Sequence, residues 1–226
     1  MTISRRSAAL ALAIVIPAPS IGALVSFWLA PGPIGLVVYA ICKGVLYLTP
    51  ALWARFVDRE PWRVAGWGRT GMAAAIGFAL VVAAAVVLTR VLLGDSAIDI
   101  NSFRAVLDQN GLSSPSRFIV AALWLSFANA LLEEYVFRWF ITSRFERLTP
   151  RHATWLSALA FTAHHIIVLA KYLPPATTAL ASAGIFVGGL VWSAIYRRAG
   201  SVWPSWISHA IVDLAIMGVG YVALFG

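Results

Sequence analysis

Nine residues of this 226-residue chain are Asp or Glu, and three of them, Glu133, Glu134 and Asp213, fall inside long apolar runs. Three of the four histidines do the same: His164, His165 and His209. Arg138 and Lys43 join them. A charge at mid-bilayer costs about 2.5–3.5 kcal/mol even on the lenient insertion scale, so such residues are kept for a partner or for chemistry. Spacing separates the two roles. Glu134 and Arg138 are four apart, share a helix face and can pair. Glu133 is turned about 100° away and points elsewhere. His209 and Asp213 are again four apart. His164 and His165 are adjacent and cannot share a face, so at most one is expected to turn easily into a common site. Glu133, His165, His209 and Asp213 together suit water activation. A shielded carboxylate serves as general base, an imidazole holds or shares the water's proton, and a second imidazole with a hydrogen-bonding neighbour stabilises an oxyanion. No covalent nucleophile is needed. The one cysteine, Cys42, sits in an apolar run and reads as a small buried hydrophobe.

The elements that must position these residues follow from composition. Apolar residues make up 61% of the chain and charged ones 12%, against about 25% charged in a soluble domain. Too little polar surface is available to cover a water-soluble exterior. The expected fold class is all-α: a polytopic membrane bundle of about seven transmembrane helices, in a single integral-membrane domain over residues 1–226. Spans of about 20 apolar residues are expected at 7–30, 34–54, 71–93, 118–140, 153–170, 176–196 and 202–225. Pro17 and Pro19 should break the first, and the fourth should continue as helix to 148. The polar stretch 95–116 suits an external loop or a short interfacial helix. At about 1.5 Å per residue, Glu133 lies about 17 Å from Arg144, His165 about 20 Å into its helix and His209 about 10 Å into its own. One cavity open to the cytoplasm could therefore contain all three.

The loops carry a matching charge pattern. Arg5 and Arg6 precede the first span. Arg55, Arg59, Arg63 and Arg69 follow the second; Arg144, Arg147 and Arg151 follow the fourth; Arg197 and Arg198 follow the sixth. The alternate loops hold far less positive charge, which orients the N-terminus to the cytoplasm and the C-terminus outside. The net charge of +8 is thereby explained without a nucleic-acid partner. Trp62, Trp67, Trp203 and Trp206 flank apolar runs, as interfacial aromatics do. Arg5–Arg6 and the apolar run after them have the layout of a signal peptide, but the run continues through Trp28, long for one.

Three motifs now stand in order on successive late helices. Glu133-Glu134-Tyr-Val-Phe-Arg138 has the form EExxxR. Phe161-Thr-Ala-His164-His165 has the form FxxxH, with Phe161 and His165 in register. His209-Ala-Ile-Val-Asp213 has the form HxxxN/D. Together they resemble the CPBP family of CAAX-processing endopeptidases and bacteriocin-processing (Abi) proteins, over about residues 118–225. The resemblance implies an intramembrane endopeptidase cutting a membrane-embedded or lipid-anchored peptide or protein, with no cofactor or metal. It implies Glu133 and His165 as the water-activating pair, and His209 and Asp213 as the oxyanion and substrate-orienting pair. Glu134, Arg138, His164 and Lys43 would stand behind them. Asp213 departs from the prenyl-protein proteases, which have Asn there, and an ionised Asp would repel an oxyanion. Lys43 belongs to none of the motifs. It is expected to neutralise Glu133, Glu134 or Asp213.

Other classes also use intramembrane charge. A proton- or ion-coupled transporter would, although no inverted repeat is visible. A metallopeptidase would place Glu and His on zinc, although no HExxH is present. A non-catalytic family member acting as scaffold or immunity partner would keep the same motifs. The size, the alanine content and the paired arginines suggest a bacterial inner membrane.

Overall fold

The computed structural model describes residues 3–60, 66 and 68–226. All regular secondary structure among them is helical. In chain order the helices are α1 (Arg5–Leu29), α2 (Pro33–Val57) and α3 (Met72–Ala97), then a short α4 (Ile100–Gln109). They continue with α5 (Pro115–Leu148), α6 (Ala153–Leu169), α7 (Pro175–Ala199) and α8 (Trp203–Phe225). Six are long and apolar enough to cross a membrane; α6, with 17 residues, is shorter. Its length, about 25 Å, approaches the hydrocarbon thickness. Arg63, Trp62 and Trp67, read above as loop charge and interfacial aromatics, lie outside the described residues.

Local chemistry explains the helix ends. The Ser4 hydroxyl accepts the Ser7 N–H at the start of α1, and Ser114 caps α5 just ahead of Pro115. Gly200 closes α7 at φ +62°, a conformation that glycine adopts without strain. Asp99 caps α4 through Ser102, whose N–H and hydroxyl hold its carboxyl below the usual carboxylate range. The polar stretch after α3 thus does contain a short helix. Pro17 interrupts α1 as expected, with α-helix over Arg5–Val15 and again over Pro17–Leu24, but the span runs on through the break. Ile16 keeps right-handed helical angles, and Pro17 opens the next stretch at a position where its missing N–H costs little.

The bundle is arranged for lipid. Its most exposed large hydrophobic side chains are aliphatic: Ile34, Val91 and Leu92 are each more than 70% exposed. Its centre holds Leu12, Leu46, Phe137, Phe140, Phe161 and Trp192. α3 lies along α8, and α6 along α7. The second contact is close because Gly189 has no side chain: a Cβ there would come within 3.1 Å of Ala158 Cα. Small residues serve this purpose between membrane helices. A smaller cluster, Leu107, Phe118 and Leu224, seats α4 on the start of α5 and the end of α8. Cys42 is half-buried rather than buried, and packs against Gly22.

Arg144 departs from its expected place among the solvated loop charges. It is fully buried, and its Nη2 donates to Asp58 Oδ2 at 2.7 Å. The Ser7 hydroxyl donates to the other Asp58 oxygen at 2.5 Å, and the Trp53 indole donates to Ser7 at 2.9 Å. The ends of α1, α2 and α5 are tied together there. The guanidinium also lies 3.7 Å from the Phe140 ring centroid, an apolar lid over a charge pair.

Candidate active site

The site is built first by α5, which is not a uniform helix. Residues Ala130–Glu134 are α-helical, between π-helical stretches at Trp124–Asn129 and Tyr135–Ile141. Such wide turns recur at functional sites because they re-aim side chains. Glu133 and Glu134 leave this short segment in different directions, and each is buried among different partners.

Glu133 faces α2. Lys43 Nζ donates to Glu133 Oε1 at 3.3 Å, to Asn129 Oδ1 at 3.1 Å and to the Tyr47 hydroxyl at 2.9 Å. Tyr47 donates to Asn129 at 2.6 Å. Of the three acids proposed for Lys43, Glu133 is the one it pairs with. Sequence reasoning missed Tyr47 and Asn129. The spacing of Lys43 and Tyr47, one helical turn apart, was the available signal for the first, and the turn between Asn129 and Glu133 for the second.

Glu133 also faces α6. One ligand-capable atom each from Glu133, His164 and His165 lies within 4.8 Å of the other two. Both histidines therefore reach the site, contrary to the expectation that adjacency allows only one. Two neighbouring imidazoles can converge because each ring swings several ångströms from its backbone. His165 Nδ1 lies 2.8 Å from the Phe161 carbonyl. A carbonyl can only accept, so Nδ1 carries the proton and Nε2 keeps its lone pair. His164 is buried, stacks on Phe137 at 18°, and makes no hydrogen bond of ordinary geometry on either ring nitrogen among the described residues.

Glu134 looks the other way and is completely buried. Arg138 grips it with two bonds, Nε to Oε2 at 3.0 Å and Nη2 to Oε1 at 3.2 Å. The third nitrogen, Nη1, donates to Ser193 at 3.1 Å and to the Gly189 carbonyl at 3.3 Å on α7. The planar guanidinium suits this arrangement. His209 Nδ1 approaches Glu134 Oε1 at 3.1 Å, and its Nε2 lies 3.6 Å from Asp213 Oδ1. Trp192 stacks on the His209 ring at 15° while its indole N–H donates to Ser208. The imidazole is thereby fixed in plane and in rotation.

Phe161 joins the two halves. Its ring centroid lies 4.5 Å from that of His165 and 5.8 Å from that of His209, and the Arg138 guanidinium sits 4.9 Å away. One aromatic wall thus separates a carboxylate–imidazole pair from an Arg–Glu–His–Asp chain. All eight residues singled out from sequence lie in these two connected groups. The donor set of Glu133, His164 and His165 is also one that could hold a metal ion.

The bundle thus gathers buried carboxylates, imidazoles and a guanidinium at its centre. Residues 115–215 match the family described as type II CAAX prenyl endopeptidase Rce1-like. The match spans α5, α6, α7 and the first half of α8, with all three motifs inside it, and is consistent with the CPBP family of membrane proteases. Comparison of the chain with curated proteins and with solved structures finds no match.

Proposed function

We propose that the chain is an intramembrane endopeptidase that hydrolyses a peptide bond of a membrane-embedded or lipid-anchored protein. The observation that carries this reading is the convergence of Glu133 and His165 in a buried site within a segment matching a CAAX protease family. Water bound between Glu133 and His165 Nε2 attacks the scissile carbonyl carbon. Its proton passes to the Glu133 carboxylate, and the carbonyl π electrons move onto oxygen. The oxyanion faces His209, whose bond to Glu134 leaves Nε2 as the group that turns toward substrate. Asp213 beside that Nε2 orients the imidazole, and its pairing with His209 offsets the charge that would otherwise oppose an oxyanion. Collapse expels the amine, which takes the proton from Glu133. Lys43 stabilises the ionised carboxylate in the bundle, and Glu134 with Arg138 holds His209 in place.

The family name points to prenylated CAAX proteins as the substrate class. The arginine distribution favours a cytoplasmic N-terminus, with cleavage toward the cytoplasmic face of a bacterial inner membrane. The site and the eight helices of the described residues act as one integral-membrane domain over residues 1–226, with residues 118–225 as its catalytic core. The test is cleavage of a farnesylated CAAX peptide by the purified chain in liposomes. Turnover in the wild type that disappears in Glu133→Gln and in His165→Ala, both still folded, supports the reading. Undiminished turnover in both variants contradicts the assignment. The ion pair between Glu133 and Lys43 favours one rival, a non-catalytic scaffold that keeps the motifs as architecture. That rival predicts no turnover at all.

A further inference from the structure

We propose that Glu133, His164 and His165 form a binding site for a zinc-class divalent cation, and that its occupancy arrests the water chemistry. Binding stands on geometry alone; the arrest rests on the reading of Glu133 as the base.

His164 is the point of departure. Its imidazole is 5% exposed, and beyond a weak contact with the Ala160 backbone neither ring nitrogen makes a hydrogen bond of ordinary geometry among the described residues. A buried polar group in that state costs stability unless something occupies the space beside it. What lies beside it is a carboxylate and a second imidazole, all offering ligand atoms within 4.8 Å of one another. Two nitrogens and one oxygen suit zinc, cobalt or nickel; magnesium and calcium call for oxygen. Two imidazoles and one glutamate with an open fourth position is also a recurrent zinc set. The bond of His165 Nδ1 to the Phe161 carbonyl is the outer support that metal-binding histidines usually have, and it leaves Nε2 to coordinate.

Bonds of about 2.0–2.2 Å require the three donors to draw closer than their present spacing. Rotation of the side chains would draw them together, and no hydrogen bond of ordinary geometry on the His164 nitrogens opposes it. Lys43 works against the cation, since its ammonium lies 3.3 Å from the same carboxylate. Asn129 and Tyr47 can keep that ammonium when the metal takes Glu133. Removing the lysine charge should therefore tighten metal binding. Coordination to the cation draws charge from the Glu133 carboxylate and lowers its basicity, so it no longer takes the water's proton, which is why occupancy stops hydrolysis.

The experiment uses the purified full-length chain in detergent micelles, stripped of metal and dialysed against buffered zinc, with bound metal counted by mass spectrometry. The wild type should hold one zinc per chain. His164→Phe, which keeps an aromatic ring beside Phe137 and removes both nitrogens, should hold none at the same free zinc. His164→Ala should agree with it. Lys43→Met should bind about tenfold more tightly, as expected when a nearby like charge is removed. Equal zinc in wild type and His164→Phe, or weaker binding in Lys43→Met, overturns the site. Measured against its own zinc-free rate, peptide cleavage by His164→Phe should not fall at zinc concentrations that stop the wild type. Full zinc occupancy with undiminished wild-type cleavage overturns the arrest. A chain that binds zinc through His164 but cleaves nothing in zinc-free buffer keeps the metal site and overturns the protease reading instead.

Discussion

Lys43 and Glu133, 90 positions apart in sequence, meet at 3.3 Å through Nζ and Oε1. The lysine comes from α2, outside the matched segment 115–215, and the glutamate from inside it. The candidate site is therefore completed by a helix that the family motifs do not reach. A buried carboxylate without a counter-charge is costly in a medium of low polarity.

Lys43→Met should accordingly lower turnover of a prenylated peptide by at least about tenfold with little change in KM, because the lysine contacts the proposed base and not the substrate. Lys43→Arg should recover part of the loss, since it restores the charge but not the three-way contact with Asn129 and Tyr47. Steady-state kinetics in liposomes reads both parameters.

Arg138→Ala should be a folding defect. It strands the fully buried Glu134 carboxylate, a loss of about 3–5 kcal/mol for a broken buried pair. Folded yield and thermal unfolding in detergent should both fall. Arg138→Lys should not repair it, because an ammonium cannot make the paired bonds to Glu134 and also reach Ser193 and Gly189.

How far the sequence led differs between elements. The seven apolar runs, the short helix after α3 and the Glu134–Arg138 pair were legible because periodicity and hydropathy are local properties. The Lys43 partnership was legible only as a need, since the residue lies too deep to snorkel, and its partner was open among three acids. The convergence of His164 and His165 was not legible: spacing along a helix fixes where a side chain leaves the backbone, not where a long planar ring ends. Nor was the Arg144–Asp58 pair. Arg144 looks like one of several loop arginines, and its burial depends on how α1, α2 and α5 end together.

Asp58→Ala should therefore destabilise the chain as much as a core deletion, by about 3–5 kcal/mol, because Arg144 would be left buried and unpaired. Thermal unfolding of the variant in detergent tests this. Arg147→Ala, an exposed neighbour on the same helix end, should be silent in the same experiment.

His209→Ala and Asp213→Asn should separate sharply. Loss of the imidazole removes the partner of Glu134 and the group proposed to face the oxyanion, and turnover should fall by about 10²–10³-fold. Asp213→Asn keeps a hydrogen-bonding side chain beside His209 Nε2 and supplies the residue that the prenyl-protein proteases carry. It should stay within about threefold of wild type by the same kinetics, a change of less than 1 kcal/mol.

The central claim is that Glu133 serves as the base of a protease. The most direct test compares the termini of membrane proteins in cells expressing, at equal levels, the wild type or Glu133→Gln. The account predicts protein termini that are present with the wild type and vanish with the variant, and these name the substrate. Identical sets of termini across several growth conditions would contradict it, and the three motifs would then be architecture.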